Sequence, residues 1–150
     1  MSENHVPVTG GCLCGAVRYE STEPPVFGGY CHCRMCQKSC GGLYMGWLQF
    51  SDSSFRITQG EPQLYRSSEW LQRGSCATCG SPLIVIYDDD PDPVIYIGSL
   101  DCPDDWPLTQ EGWWGHAYMD EKVSWHVISD DTPRHAQNYP DIPEEQGGTP

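Results

Sequence analysis

Nine cysteines in a chain of 150 residues, most of them in tight groups, limit what this sequence can fold into more than any other feature. The groups are Cys12-Leu13-Cys14 in GGCLCG, Cys31-His32-Cys33-Arg34-Met35-Cys36, and Cys76-Ala77-Thr78-Cys79-Gly80, while Cys40 and Cys102 stand apart. An odd count fits complete internal disulfide pairing poorly. The N-terminal MSENHVPVTGG lacks a basic segment followed by an apolar one, and the longest clean apolar run is PLIVIY at residues 82–87. That run is far short of the roughly 20 residues that span a bilayer. A cytoplasmic location is therefore expected, where thiols stay reduced and clustered cysteines read as metal ligands or reactive groups.

A C-x-x-C followed by Gly forms a tight turn that presents two thiolates to one ion, and structural zinc takes four such ligands. The simplest completion joins Cys12 and Cys14 to Cys76 and Cys79, tying the N-terminal region to the middle of the chain across a long loop. The plainer alternative makes Cys12 and Cys14 small buried hydrophobes. Cys31, Cys33 and Cys36 offer three thiolates to one face of an ion and leave a position for water or substrate. A divalent ion with three thiolates carries one net negative charge and is a weaker Lewis acid than one held by neutral histidines. A site so rich in sulfur favours another thiolate as fourth ligand, held as a nucleophile. The competing reading closes that site with Cys40 or His32 and makes it structural.

The charge balance excludes other classes. Lys plus Arg is 8 against 21 for Asp plus Glu, a net charge of −13. Nucleic-acid phosphates and anionic membranes are poor partners for such a chain. With 16 Gly and 13 Pro, long helices are not expected. Alternation and β-branched content place strands at residues 16–20, 26–33, 42–50, 55–58, 63–67, 69–73, 82–87, 94–98 and 122–128, with an exposed acidic loop at 88–93. One short helical turn follows Cys36. Trp47, Trp70 and Trp125 read as core. The expected organisation is one all-β domain, mainly antiparallel, over residues 1–133, and a loose acidic, Pro-rich tail over residues 134–150.

These motifs, in this order, resemble the glutathione-dependent formaldehyde-activating enzyme family, which includes centromere protein V. The resemblance is carried by GGCLCGAVRYE at residues 10–20, CHCRMCQKSCGG at 31–42, CATCGSPL at 76–83 and IGSLDCPDDWP at 97–107, with His116 and KVSW at 122–125. It implies a small zinc-stabilised β-tent with two zinc ions per chain. Cys12, Cys14, Cys76 and Cys79 would hold the structural ion, and Cys31, Cys33 and Cys36 the catalytic one. The implied activity is a carbon–sulfur lyase reaction, the joining of glutathione and formaldehyde to S-hydroxymethylglutathione. The sequence departs from the family pattern at Cys40 and Cys102.

On this reading a substrate thiol attacks a small aldehyde and a proton donor neutralises the developing alkoxide. His32 and His116 are the candidate donors, because histidine titrates near working pH. Their bland alternatives are a strand residue turned away from its cysteine neighbours and a packed loop residue. Arg34 and Lys38 are placed to attract a glutathione carboxylate, or are plain surface charges. The second function class is a non-catalytic, zinc-stapled binding or structural module.

Overall fold

A computed structural model describes residues 6–140. The strands are β1 Val8–Gly11, β2 Arg18–Ser21, β3 Phe27–Cys31, β4 Met45–Gln49 and β5 Phe55–Gln59. They continue with β6 Gln63–Arg66, β7 Leu71–Ser75, β8 Pro82–Tyr87, β9 Asp90–Tyr96 and β10 His116–Ala117. One helix, α1, spans Arg34–Cys40. The smaller sheet has the order β1-β2-β5 and the larger β10-β3-β4-β9-β8-β7-β6. Every pairing is antiparallel except that of β10 with β3. The chain is thus mostly β and mainly antiparallel, as expected.

The larger sheet has two covered faces, and the period of two along its strands sorts the residues between them. Leu48, Ile84 and Ile95 join Val8, Val17, Tyr19, Phe50 and Leu83 in a core shared with the smaller sheet. Their neighbours Trp47, Val85, Val94 and Tyr96 point the other way, into a second core with Met45, Ala117, Tyr118 and Tyr139. Cys12 and Cys76 belong to the first core, Cys33 and Cys36 to the second. The two cysteine groups therefore lie in separate layers of one scaffold.

Four sequence expectations change. The acidic stretch 88–93 is mostly strand: β9 already begins at Asp90, which pairs with Tyr87 across a tight turn. Its carboxylates are absorbed by polar partners, Asp90 by Gln49 Nε2 at 2.9 Å and Asp92 by the Asp52 amide at 2.8 Å. Residues 122–128 form no strand; Lys122 Nζ donates to the carbonyls of Val123 and His126 and curls the segment. Trp125, read as core, is 72% exposed there. The helical turn is longer than expected and begins before Cys36.

Residues 134–140, assigned by sequence to a loose tail, are tied to the domain. His116 N donates to Pro133 O and His135 N to His116 O, each at 2.8 Å. Tyr139 is buried, and its hydroxyl donates to Tyr30 O at 2.9 Å and Gly115 O at 3.2 Å. Gly115 permits this close approach: its φ is +74°, and a Cβ there would lie 2.1 Å from Pro133 O. The rest of that expected tail lies outside the described residues.

Candidate metal centres

The two pairs that sequence spacing put together meet in space. The sulfurs of Cys12, Cys14, Cys76 and Cys79 all lie within 4.8 Å of one another. Cys14 Sγ stands 3.6 Å from Cys12 Sγ and 3.7 Å from Cys76 Sγ. A zinc–thiolate tetrahedron with arms of about 2.3 Å has edges of about 3.8 Å. These separations therefore suit four ligands of one ion and are too long for disulfides. Each knuckle closes on a left-handed glycine, Gly15 at φ +80° and Gly80 at φ +78°, whose amides return to Cys12 O and Cys76 O. Backbone amides point at the sulfurs: Val17 N at Cys12 Sγ, 3.2 Å, and Thr78 N at Cys76 Sγ, 3.4 Å. The Ser81 hydroxyl and amides hold the Cys79 thiol down at about 5. Cys14 accepts from the Ala16 amide, yet its crowded neighbours, Cys12 foremost, push it up to about 11. Four sulfurs this close cannot all carry charge without a cation between them, so the donor set fits zinc.

The sulfurs of Cys31, Cys33 and Cys36 form a second group, again within 4.8 Å of one another. Cys31 ends β3, and Cys33 is the N-cap of α1, its sulfur accepting from Cys36 N at 3.3 Å. The short helix thus folds the third cysteine back onto the first two. Among the described residues, no fourth His, Cys, Asp or Glu joins them. Cys40 sits at the far end of α1, its sulfur 3.5 Å from Tyr44 O and accepting from Gly42 N at 3.3 Å. The donor set is soft and three-fold, which fits zinc with one position left for another ligand.

Beside this group opens a cavity of about 560 Å³ whose lining includes Arg34, Lys38, Ser39, Ser67, Arg73 and Tyr96. Arg73 from β7 links cavity and sulfurs, with Nη2 3.6 Å from Cys36 Sγ and Nη1 2.8 Å from the Tyr96 hydroxyl. Arg34 and Lys38 flank the site as the sequence suggested. Arg73 and Tyr96 carry no mark in the sequence, because only the register of β7 and β9 brings them here.

The chain matches the glutathione-dependent formaldehyde-activating enzyme family over residues 7–116, a span holding both cysteine groups. It belongs to that family. The description that names the family is glutathione-dependent formaldehyde activation, an enzymatic function with glutathione and formaldehyde as its reactants. A crystal structure of a Rhodobacter sphaeroides protein is similar at a TM-score of 0.52 and 21% identity, covering 73% of this chain and 99% of that one. That likeness concerns the fold. Comparison with curated proteins finds no match. Among the described residues, no helix is long and apolar enough to cross a membrane.

In this member of the glutathione-dependent formaldehyde-activating family the two candidate histidines meet each other. His32 Nε2 and His116 Nδ1 are 2.8 Å apart, and both side chains are buried. Asp130, not foreseen from sequence, lies 3.1 Å from His116 Nε2. The carboxylate fixes the tautomers: His116 donates from Nε2 to Asp130, accepts at Nδ1 from His32 Nε2, and leaves His32 Nδ1 a bare acceptor. That atom is buried without a partner among the described residues. Tyr30 stacks on His116 at 4.3 Å between ring centroids. Neither imidazole lines the cavity.

Burial holds both imidazoles neutral, His32 down at about 4 and His116 below its usual value, although Asp130 works against the latter shift. The unfolded chain takes up protons at these histidines near pH 6.5 while the folded one does not. Stability is therefore full above about pH 6.5 and falls as pH drops toward 4, by on the order of 3 kcal/mol for His32. Denaturant midpoints between pH 7 and 5 check this, with acid release of metal shared by all variants. Wild type should lose stability faster than His116→Gln over that range, and equal slopes would contradict the assignment.

Proposed function

We propose that this protein is a zinc-dependent carbon–sulfur lyase joining a thiol, glutathione first, to formaldehyde or a related small aldehyde. The observation that carries this reading is a three-cysteine group with no fourth protein donor among the described residues, next to a cavity walled by Arg34, Lys38, Arg73 and Tyr96. Cys31, Cys33 and Cys36 would hold one zinc ion and Cys12, Cys14, Cys76 and Cys79 a second, structural one. The first, when bound, supplies a soft Lewis-acid position that keeps a thiol deprotonated.

In this reading the cavity holds the rest of the substrate, with Arg34 and Lys38 as cations for carboxylates. One carbon–sulfur bond forms, and the proton that leaves the thiol ends on the aldehyde oxygen, with no change in redox state. Tyr96 is the donor for that oxygen. Its hydroxyl accepts from Arg73 Nη1 at 2.8 Å, so its own proton stays available to Ser39 Oγ, 3.1 Å away, or to substrate. Burial raises its pKa, which keeps the phenol protonated at neutral pH. His32 and His116 are bonded to each other and buried, and in this reading they serve by fixing the Cys31–Cys33 segment.

The test is a glutathione titration of the cobalt-reconstituted protein, followed by sulfur-to-metal charge-transfer absorption, with adduct formation from labelled formaldehyde measured by NMR. A saturable new band and adduct formation faster than the uncatalysed background are expected. No spectral change up to millimolar glutathione, and no acceleration, would remove glutathione as the substrate, and the same result with mercaptoethanol would remove the lyase reading.

A further inference from the structure

Arg73 is half-buried and has no carboxylate among its hydrogen-bonding partners. Nε donates to Ser67 Oγ at 3.2 Å, Nη1 to the Tyr96 hydroxyl at 2.8 Å with Met45 Sδ at 3.9 Å, and Nη2 lies 3.6 Å from Cys36 Sγ. The arginines that form ion pairs among the described residues are Arg18, Arg56 and Arg66, with Asp101, Glu20 and Asp88. In a chain of net charge −13, leaving a partly desolvated guanidinium without a carboxylate is costly unless another anion compensates it. The anion at hand is the sulfur group.

A divalent ion on three thiolates carries one net negative charge, and a fourth thiolate would make it two in a half-buried place. Such an arrangement resists the ligand that the lyase reading requires. The Arg73 guanidinium cancels one of those charges. Its benefit is selective: an incoming thiolate gains from a nearby cation, whereas a neutral ligand such as imidazole does not. We propose that Arg73 is the positioning residue that lets the three-cysteine centre accept an anionic sulfur as its fourth ligand in preference to a neutral one. This rests on the lyase reading for the metal itself, and it adds the residue that decides which ligand enters.

The experiment uses the cobalt-loaded full chain, with metal content measured for each variant, and titrates mercaptoethanol and imidazole separately by absorption. Mercaptoethanol brings no carboxylate, so Arg34 and Lys38 do not enter the comparison. Arg73→Gln should weaken thiol binding about tenfold or more and leave imidazole binding within about twofold, and Arg73→Lys should restore most of the thiol affinity. If Arg73→Gln does not fold, Arg73→Met, which keeps the apolar stem, takes its place. Equal weakening of both ligands would reduce Arg73 to a packing role and overturn the inference, as would no weakening of either. Those outcomes leave the lyase reading standing, whereas a wild type that accepts imidazole but no thiol overturns both.

Discussion

Cys76→Ser is expected to yield a chain without cooperative folding at room temperature. Cys76 is 3% exposed, lies in the core shared by the two sheets, and takes amide hydrogen bonds from Thr78 and Cys79 on its sulfur. Its sulfur is 3.7 Å from that of Cys14, so it joins the knuckle after β1 to the turn between β7 and β8. Structural zinc contributes about 10–16 kcal/mol in small zinc-binding peptides, whereas a whole domain is stable by about 5–15 kcal/mol. Losing one of four proposed ligands therefore removes an amount comparable to the entire stability. Near-ultraviolet dichroism, a thermal scan and the zinc-to-protein ratio report the result. A sharp transition within a few degrees of wild type would show that the four-cysteine group does not hold the fold.

Cys33→Ser should have the opposite profile, with the fold kept and activity lost. Cys33 caps α1, its sulfur accepting from Cys36 N at 3.3 Å, and serine is among the best residues at a helix N-cap. The substitution thus preserves the local structure and replaces a proposed soft metal ligand by a poor one. We expect the loss of one ion per chain, a thermal midpoint near wild type, and adduct formation reduced at least about a hundredfold. Unfolding of this variant would make the three-cysteine group structural. Unchanged turnover with the ion missing would move the chemistry elsewhere.

Both variants act on residues that the sequence already marked, and the reason is local. Spacings such as C-x-C-G and C-x-x-C-G dictate a turn by themselves, with Gly15 and Gly80 in the left-handed region. Strands such as PLIVIY declare themselves by β-branched composition, and β8 follows that run from Pro82 to Tyr87. The residues that complete the second centre carry no such mark. Arg73 reaches Cys36 across 37 positions, and Tyr96 reaches Arg73 across 23, both through strand register. Asp130 looks like one more acid in an acidic stretch until β10 places His116 against it. The failure at residues 122–128 has the same origin. Alternation signals a strand only where a neighbouring strand accepts it, and Lys122 spends its ammonium on the carbonyls of its own segment instead.

Closed on one ion as proposed, the four-cysteine group would also set an order of events during synthesis. Cys14 is made 62 positions before Cys76, so the first knuckle leaves the exit tunnel as an open pair of thiols and waits while most of the larger sheet is synthesised. Only when the turn between β7 and β8 emerges can that pair be closed. If that group holds zinc as proposed, a nascent chain interrupted before then would carry free thiols, and its maturation would depend on the zinc available at that moment.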